Sequence, residues 1–186
     1  AWTDIACMLV QSRSMIDVQT VYRSDSGVEL TPLMMAAAHN RVDVAEACIK
    51  TRAPVDKTDK NGYTPLYIAS QNGHVEVARL LMDSGADIDK AQKNGCTPLY
   101  IASQKGHVDV VRVLLKQGAD ITKARNSGAT PLYIASQNGH VDVVRVLVEQ
   151  GADIDKARDD GATPLYIASQ QGHVDVVRVL VCLLYT

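Results

Sequence analysis

Four histidines stand 33 residues apart, at His74, His107, His140 and His173, each directly after a glycine. A histidine column invites a metal reading, because the neutral imidazole is a common zinc ligand. Geometry opposes it. Packed helices lie ~8–10 Å apart, whereas the ligands of one zinc lie ~2 Å from the ion. Rings supplied by successive units cannot share an ion without distortion, so each is expected to serve the start of a helix. His39 falls outside the column and reads as a surface residue. The cysteines Cys7, Cys48, Cys96 and Cys182 have no CxxC or framework spacing, and no histidine and carboxylate recur around any of them as a nucleophilic set requires. They read as reduced thiols of an intracellular, cytoplasmic protein. Ser70-Gln71 and its equivalents also recur, and read as polar helix-face residues. With no P-loop, GxGxxG or HExxH in the chain, we expect no catalytic residues, no metal site and no cofactor. An enzyme is not expected.

Composition narrows the partners. The 186 residues carry 19 Lys+Arg against 21 Asp+Glu, a net charge of −2, which lacks the basic excess that phosphate-backbone binding demands. No nucleic-acid partner is expected on that ground. No apolar run is long enough for a bilayer, so no membrane insertion is expected. Asp4 interrupts the only segment that could open a signal peptide. The first residue is Ala1, and we expect a fragment of a longer chain. Hydrophobic residues make up 46% of it, yet phenylalanine is absent and tryptophan occurs once, so aliphatic side chains must build the core.

The elements that position these residues follow from the period. Thr-Pro-Leu recurs at Thr31, Thr64, Thr97, Thr130 and Thr163, always 33 residues on. Such periods mark solenoids, in which one supersecondary unit cannot bury its apolar face alone. Thr130 suits an N-cap and Pro131 the first helical position, where its missing N–H costs nothing. The spacing predicts a short helix over 132–137, stopped by Gly139 in the left-handed region. A second helix starts after His140, with Asp142 in its first turn and Arg145 three residues on, placed to pair with it. Val141, Val143, Val144, Val146, Leu147 and Val148 cover most of that helix, so it must be buried on several sides. Gly151 ends it, and a turn-rich connection leads to the next Thr-Pro.

These residues resemble ankyrin repeats: a glycine two residues before Thr-Pro-Leu, then Ala, Gly-His, paired Val/Leu and Gly-Ala-Asp. The pattern is matched in "NGYTPLYIASQNGHVEVARLLMDSGADI" and again in "NGCTPLYIASQKGHVDVVRVLLKQGADI". The resemblance implies an all-α solenoid of helix–turn–helix units joined by β-hairpin-like loops, here one domain over 1–186 with repeats beginning near 26, 59, 92, 125 and 158. The last repeat is incomplete. Residues 1–30 read as a degenerate half-repeat and loop: Trp2, Ile5, Ala6, Leu9 and Val10 have helical spacing, and 22–30 reads as a looser loop. Two columns depart from the family. Tyr67, Tyr100, Tyr133 and Tyr166 stand where it usually has a histidine bonded back to the threonine, a geometry tyrosine cannot copy. Asp89, Thr122 and Asp155 stand where it often has asparagine, so hydroxylation of that asparagine is not expected.

The resemblance also implies a function: hairpin tips and the exposed side of the first helices form a concave face that binds another protein or peptide. Differences between repeats gather there. Carried over position by position, the partner-binding residues are Lys60, Asn61, Tyr63, Lys93, Asn94, Cys96, Asn126, Ser127, Asp159 and Asp160. The helix-end residues Asn72, Lys105, Asn138 and Gln171 join them. The tips change sign, from Lys60 and Lys93 to Asp159 and Asp160, which suggests a partner whose charge runs from acidic to basic. Where earlier repeats read Gln-Gly-Ala-Asp, the chain ends in the apolar "CLLYT". Three outcomes are open for it: more chain follows, another surface covers it, or Leu183 and Leu184 fold back as a cap. The alternative functions are a structural spacer or self-associating segment of a larger ankyrin array, the C-terminal end stacking on further repeats or a second copy, and an engineered repeat protein.

Overall fold

The computed structural model describes residues 22–23 and 29–184. The helical spacing read over Trp2–Val10, with Cys7, lies outside the described residues. Ten helices follow one another in pairs among these residues: α1 Pro32–Ala38 with α2 Val42–Lys50, α3 Pro65–Asn72 with α4 Val75–Asp83, and α5 Pro98–Lys105 with α6 Val108–Lys116. The series continues with α7 Pro131–Gln137, α8 Val141–Glu149, α9 Pro164–Gln170 and α10 Val174–Leu184. The stretch read as a loose loop closes at its ends instead. Tyr22–Arg23 (β1) pairs antiparallel with Glu29–Leu30 (β2), Tyr22 opposite Leu30. α10 runs through Leu184, so its backbone does not turn back as a cap.

Each first helix is started by the threonine. Thr64, Thr97, Thr130 and Thr163 keep extended backbones, and their hydroxyls accept the N–H three residues on at 3.0–3.2 Å. That N–H belongs to the tyrosine, so the cap needs only the tyrosine backbone and leaves its ring free. The second helices α2, α4, α6 and α8 have no side-chain cap; His74, His107 and His140 occupy the N-cap with ψ near 80°. The pair expected at Asp142 and Arg145 closes one repeat later, where Arg178 meets Asp175 at 3.3 Å on the exposed surface.

The histidines join repeats. Each Nε2–H donates to a carbonyl near the end of the previous first helix: His74 to Ala38 at 3.2 Å, His107 to Gln71 at 3.0 Å, His140 to Gln104 at 3.0 Å and His173 to Gln137 at 2.9 Å. A carbonyl only accepts, so Nε2 carries the proton. These carbonyls are among the last of a helix, which no intrahelical donor reaches. Gly73, Gly106 and Gly139 each lie against the histidine ring of the next repeat. A Cβ at Gly106 would lie 2.7 Å from His140 Nδ1, and its φ is +76°. Glycine is thus required there for backbone and for space.

First helices pack on first helices and second on second, and the internal Leu66, Leu99, Leu132, Leu81, Leu114 and Leu147 are at most 1% exposed. Each such leucine contributes ~1.5–3 kcal/mol by leaving water. A second cluster lies on the other side of the first helices and contains Tyr67, Tyr100, Tyr133, Cys96 and the isoleucines Ile101, Ile134 and Ile167.

The paired glycines offer a test. Gly118 also has positive φ, at +91°, but a Cβ there meets nothing within 4 Å. Gly118→Ala should lose only the left-handed backbone term of ~1–2 kcal/mol. Gly106→Ala should lose that and more, because the His140 ring must move. Urea unfolding of both variants decides; equal losses would remove the ring contact from the account.

Candidate functional site

The candidate surface is built on the connections between repeats. Within each, a tight turn closes by backbone bonds, such as Gln92 N–H to Cys96 O at 3.0 Å and Gly95 N–H to Gln92 O at 2.8 Å. Successive turns are then tied tip to tip: Lys93 N–H donates to Asn61 O at 3.2 Å, Asn126 N–H to Asn94 O at 3.1 Å, and Asp159 N–H to Ser127 O at 3.3 Å. These bonds use no side chain, so tip residues can change without breaking them. What cannot change is the glycine behind. A Cβ at Gly95 would lie 2.8 Å from Asn126 N.

Most of the residues expected to bind a partner are exposed. Lys60, Asn61, Lys93, Asn94, Asn126, Ser127, Asp159 and Asp160 line the tips, and Asn72, Lys105, Asn138 and Gln171 stand near the ends of the first helices. Several of these are held in place: Asn61 Nδ2 donates to Asp59 at 3.3 Å, Asn126 Nδ2 to Lys93 O at 3.3 Å, and Asn138 Nδ2 to Gln104 O at 2.8 Å. Tyr63 is half-buried, its ring stacked on Tyr67 with centroids 4.8 Å apart. Cys96 requires a correction. It is 6% exposed and packs in the tyrosine cluster, so it belongs to the interior and not to the binding face. A small side chain there fits between tyrosine rings, and burial pushes its thiol pKa up.

The tyrosines form a floor that sequence reasoning did not place. Tyr67, Tyr100 and Tyr133 are at most 4% exposed, whereas Tyr166, with no repeat described beyond it, is 57% exposed. Burial raises the phenol pKa of all three. Arginines of the following connection cover two of them. Arg125 lies near the Tyr100 hydroxyl and works against that rise, and Arg158 lies 5.3 Å from the Tyr133 ring centroid. Arg158 also grips Asp160 through Nε and Nη2, and this holds the Asp160 carboxyl down at about 2. Asp160 therefore presents a paired charge. Arginine at 125 and 158, each four residues before an alanine, was the sequence signal for this cover.

Among the described residues no group of three His, Cys, Asp or Glu could hold a metal ion, and no helix is long and apolar enough to cross a membrane.

Comparison with curated proteins finds no match. The family model described as ankyrin repeats in three copies matches residues 3–92, 33–125, 82–158 and 122–185 in overlapping registers. Paired helices on a 33-residue period, threonine-proline starts and histidines bonded back to the previous unit are thus accounted for along nearly the whole sequence, and the chain belongs to the ankyrin-repeat family.

Proposed function

We propose that the protein is a non-catalytic cytoplasmic scaffold that binds another polypeptide across the hairpin tips and the first helices. Ankyrin repeats are in general protein-interaction modules, and the particular partner surface is our reading. The observation that carries it is the division of labour within each repeat. Columns that repeat without change, such as Leu66, Leu99 and Leu132, are buried. Positions that vary, such as Lys60, Lys93, Asn126 and Asp159, are exposed, and successive tips are tied by backbone bonds. A preformed surface of this kind suits a standard interface of ~800 Å² per partner or less.

Charge along the tips supports a directional partner, its acidic end toward Lys60 and Lys93. The Arg158–Asp160 pair weakens the opposite pole, which leaves Asp159 as its main acidic tip residue. A second reading, self-association through the C-terminal end, is favoured by the 57% exposure of both Tyr166 and Val174. Light scattering separates the two: a monomer at all concentrations supports the scaffold, and a concentration-dependent dimer supports stacking.

A partner recovered by pull-down gives the direct measurements. Reversing charge at Lys60 and Lys93 should slow association by about tenfold at low salt and flatten its salt dependence. An unchanged on-rate removes the charge register. Asn94→Ala with Ser127→Ala should weaken binding while unfolding free energy stays within about 0.5 kcal/mol of the parent, as for surface positions outside the packing. A matching loss of stability would make these tips structural.

A further inference from the structure

A second row of inter-repeat bonds runs beneath the tips, and it is interrupted once. Asp56 accepts the Asp87 N–H on both carboxylate oxygens, at 3.1 and 3.0 Å. One repeat on, Asp89 accepts the Asp120 N–H at 3.1 and 3.3 Å, and Lys123 Nζ approaches the same carboxylate at 3.6 Å. The next member of the acceptor column is Thr122. Its hydroxyl turns inward and donates to Asp120 at 2.7 Å. Asp153 N–H, equivalent to the N–H groups of Asp87 and Asp120, consequently has no protein acceptor among the described residues. Lys156, the equivalent of Lys123, has no carboxylate within ion-pair distance among them. A cavity of about 250 Å³ opens at this point, lined by Ile121, Thr122, Thr130, Leu132, Ala152, Asp153 and Lys156.

We infer that this cavity binds a carboxylate from outside the chain. The chemistry is set by the neighbouring interface, where the same two donors hold a carboxylate that the chain itself supplies. A ligand carboxylate would take the Asp153 N–H across its two oxygens and Lys156 on one of them, as Asp89 takes Asp120 N–H and Lys123. Ile121, Leu132 and Ala152 add an apolar wall, so the group best suited is a carboxylate on a short aliphatic body. A free aliphatic acid and the C-terminal residue of a peptide share that chemistry. Among the residues that line the cavity Lys156 is the one cation, which distinguishes it from a phosphate site, where bidentate arginine or several donors are usual.

The test is a titration of the whole chain with isobutyrate, with N-acetyl-glycyl-valine and with inorganic phosphate, followed through the Asp153 amide by NMR. Binding is expected for at least one carboxylate and more weakly for phosphate; the stronger carboxylate assigns the source as free acid or chain end. Thr122→Asp should restore the internal acceptor, move the Asp153 amide toward its ligand-bound position and weaken binding more than about tenfold. Lys156→Gln leaves the backbone donor and should weaken binding several-fold, which keeps the test open if the first variant folds poorly. An Asp153 amide unmoved by either carboxylate, or binding undiminished in both variants, overturns the site. So does an equal or stronger response to phosphate.

Discussion

The bond from each histidine to the preceding repeat is the constraint on which the stack depends. It satisfies a carbonyl at the end of one first helix with a donor held at the start of the next repeat's second helix, and so fixes both the distance and the rotation between units. The leucine columns supply more energy, but apolar contact has no direction. A hydrogen bond does. The glycine under the next ring completes the arrangement, because a Cβ at Gly73, Gly106 or Gly139 would lie under 3.0 Å from that ring. The first described repeat shows the tolerance of the device. Asn40 replaces glycine at φ 54°, and the His74 bond survives at a longer 3.2 Å. Asparagine is among the few residues that reach that backbone region at modest cost.

A stack of near-identical units makes every contact between repeats a contact between equivalent columns, and this explains where departures have consequences. Threonine for aspartate at 122 leaves its own repeat intact and removes an acceptor from the next. Alanine at 129 and 162, where the earlier repeats have Tyr63 and Cys96, coincides with arginine at 125 and 158 laid over the tyrosines of the preceding repeat. A bulky residue before Thr-Pro serves at Tyr67, and where that residue is small, Cys96 or Ala129, an arginine of the next turn serves the same aromatic floor. Tyr63 covers Tyr67 by stacking, and Arg158 covers Tyr133 by cation–π contact.

The helices, caps and buried columns were legible because each rests on local chemistry or on a period. Thr-Pro starts a helix, glycine stops it, and leucine every 33 residues must meet its own equivalents. The tyrosine floor was not legible in the same way. The period shows that Tyr67, Tyr100 and Tyr133 share a face, but which face depends on the side that the threonine cap turns toward the connections. Cys96 failed for a related reason. It neighbours exposed tip residues in sequence, yet it lies one residue beyond the turn glycine, where the backbone has already re-entered the packed layer. The break at Thr122 is visible as a letter, but its effect falls on Asp153, 31 residues away, and only the register of the stack connects the two.

Freedom at the tips and rigidity beneath them have one physical origin. Tip bonds run between backbone groups, and the turns behind them close on glycine and on carbonyls. Their energy is therefore largely indifferent to whether the tip carries lysine, asparagine, serine or aspartate. A surface whose geometry is set by the main chain can exchange side chains without moving, so a partner meets a preorganised template and little ordering is left for the moment of binding. The same logic limits where specificity can arise. Changes in the leucine, glycine or histidine columns alter the stack itself, whereas changes at the tips alter only what the stack presents.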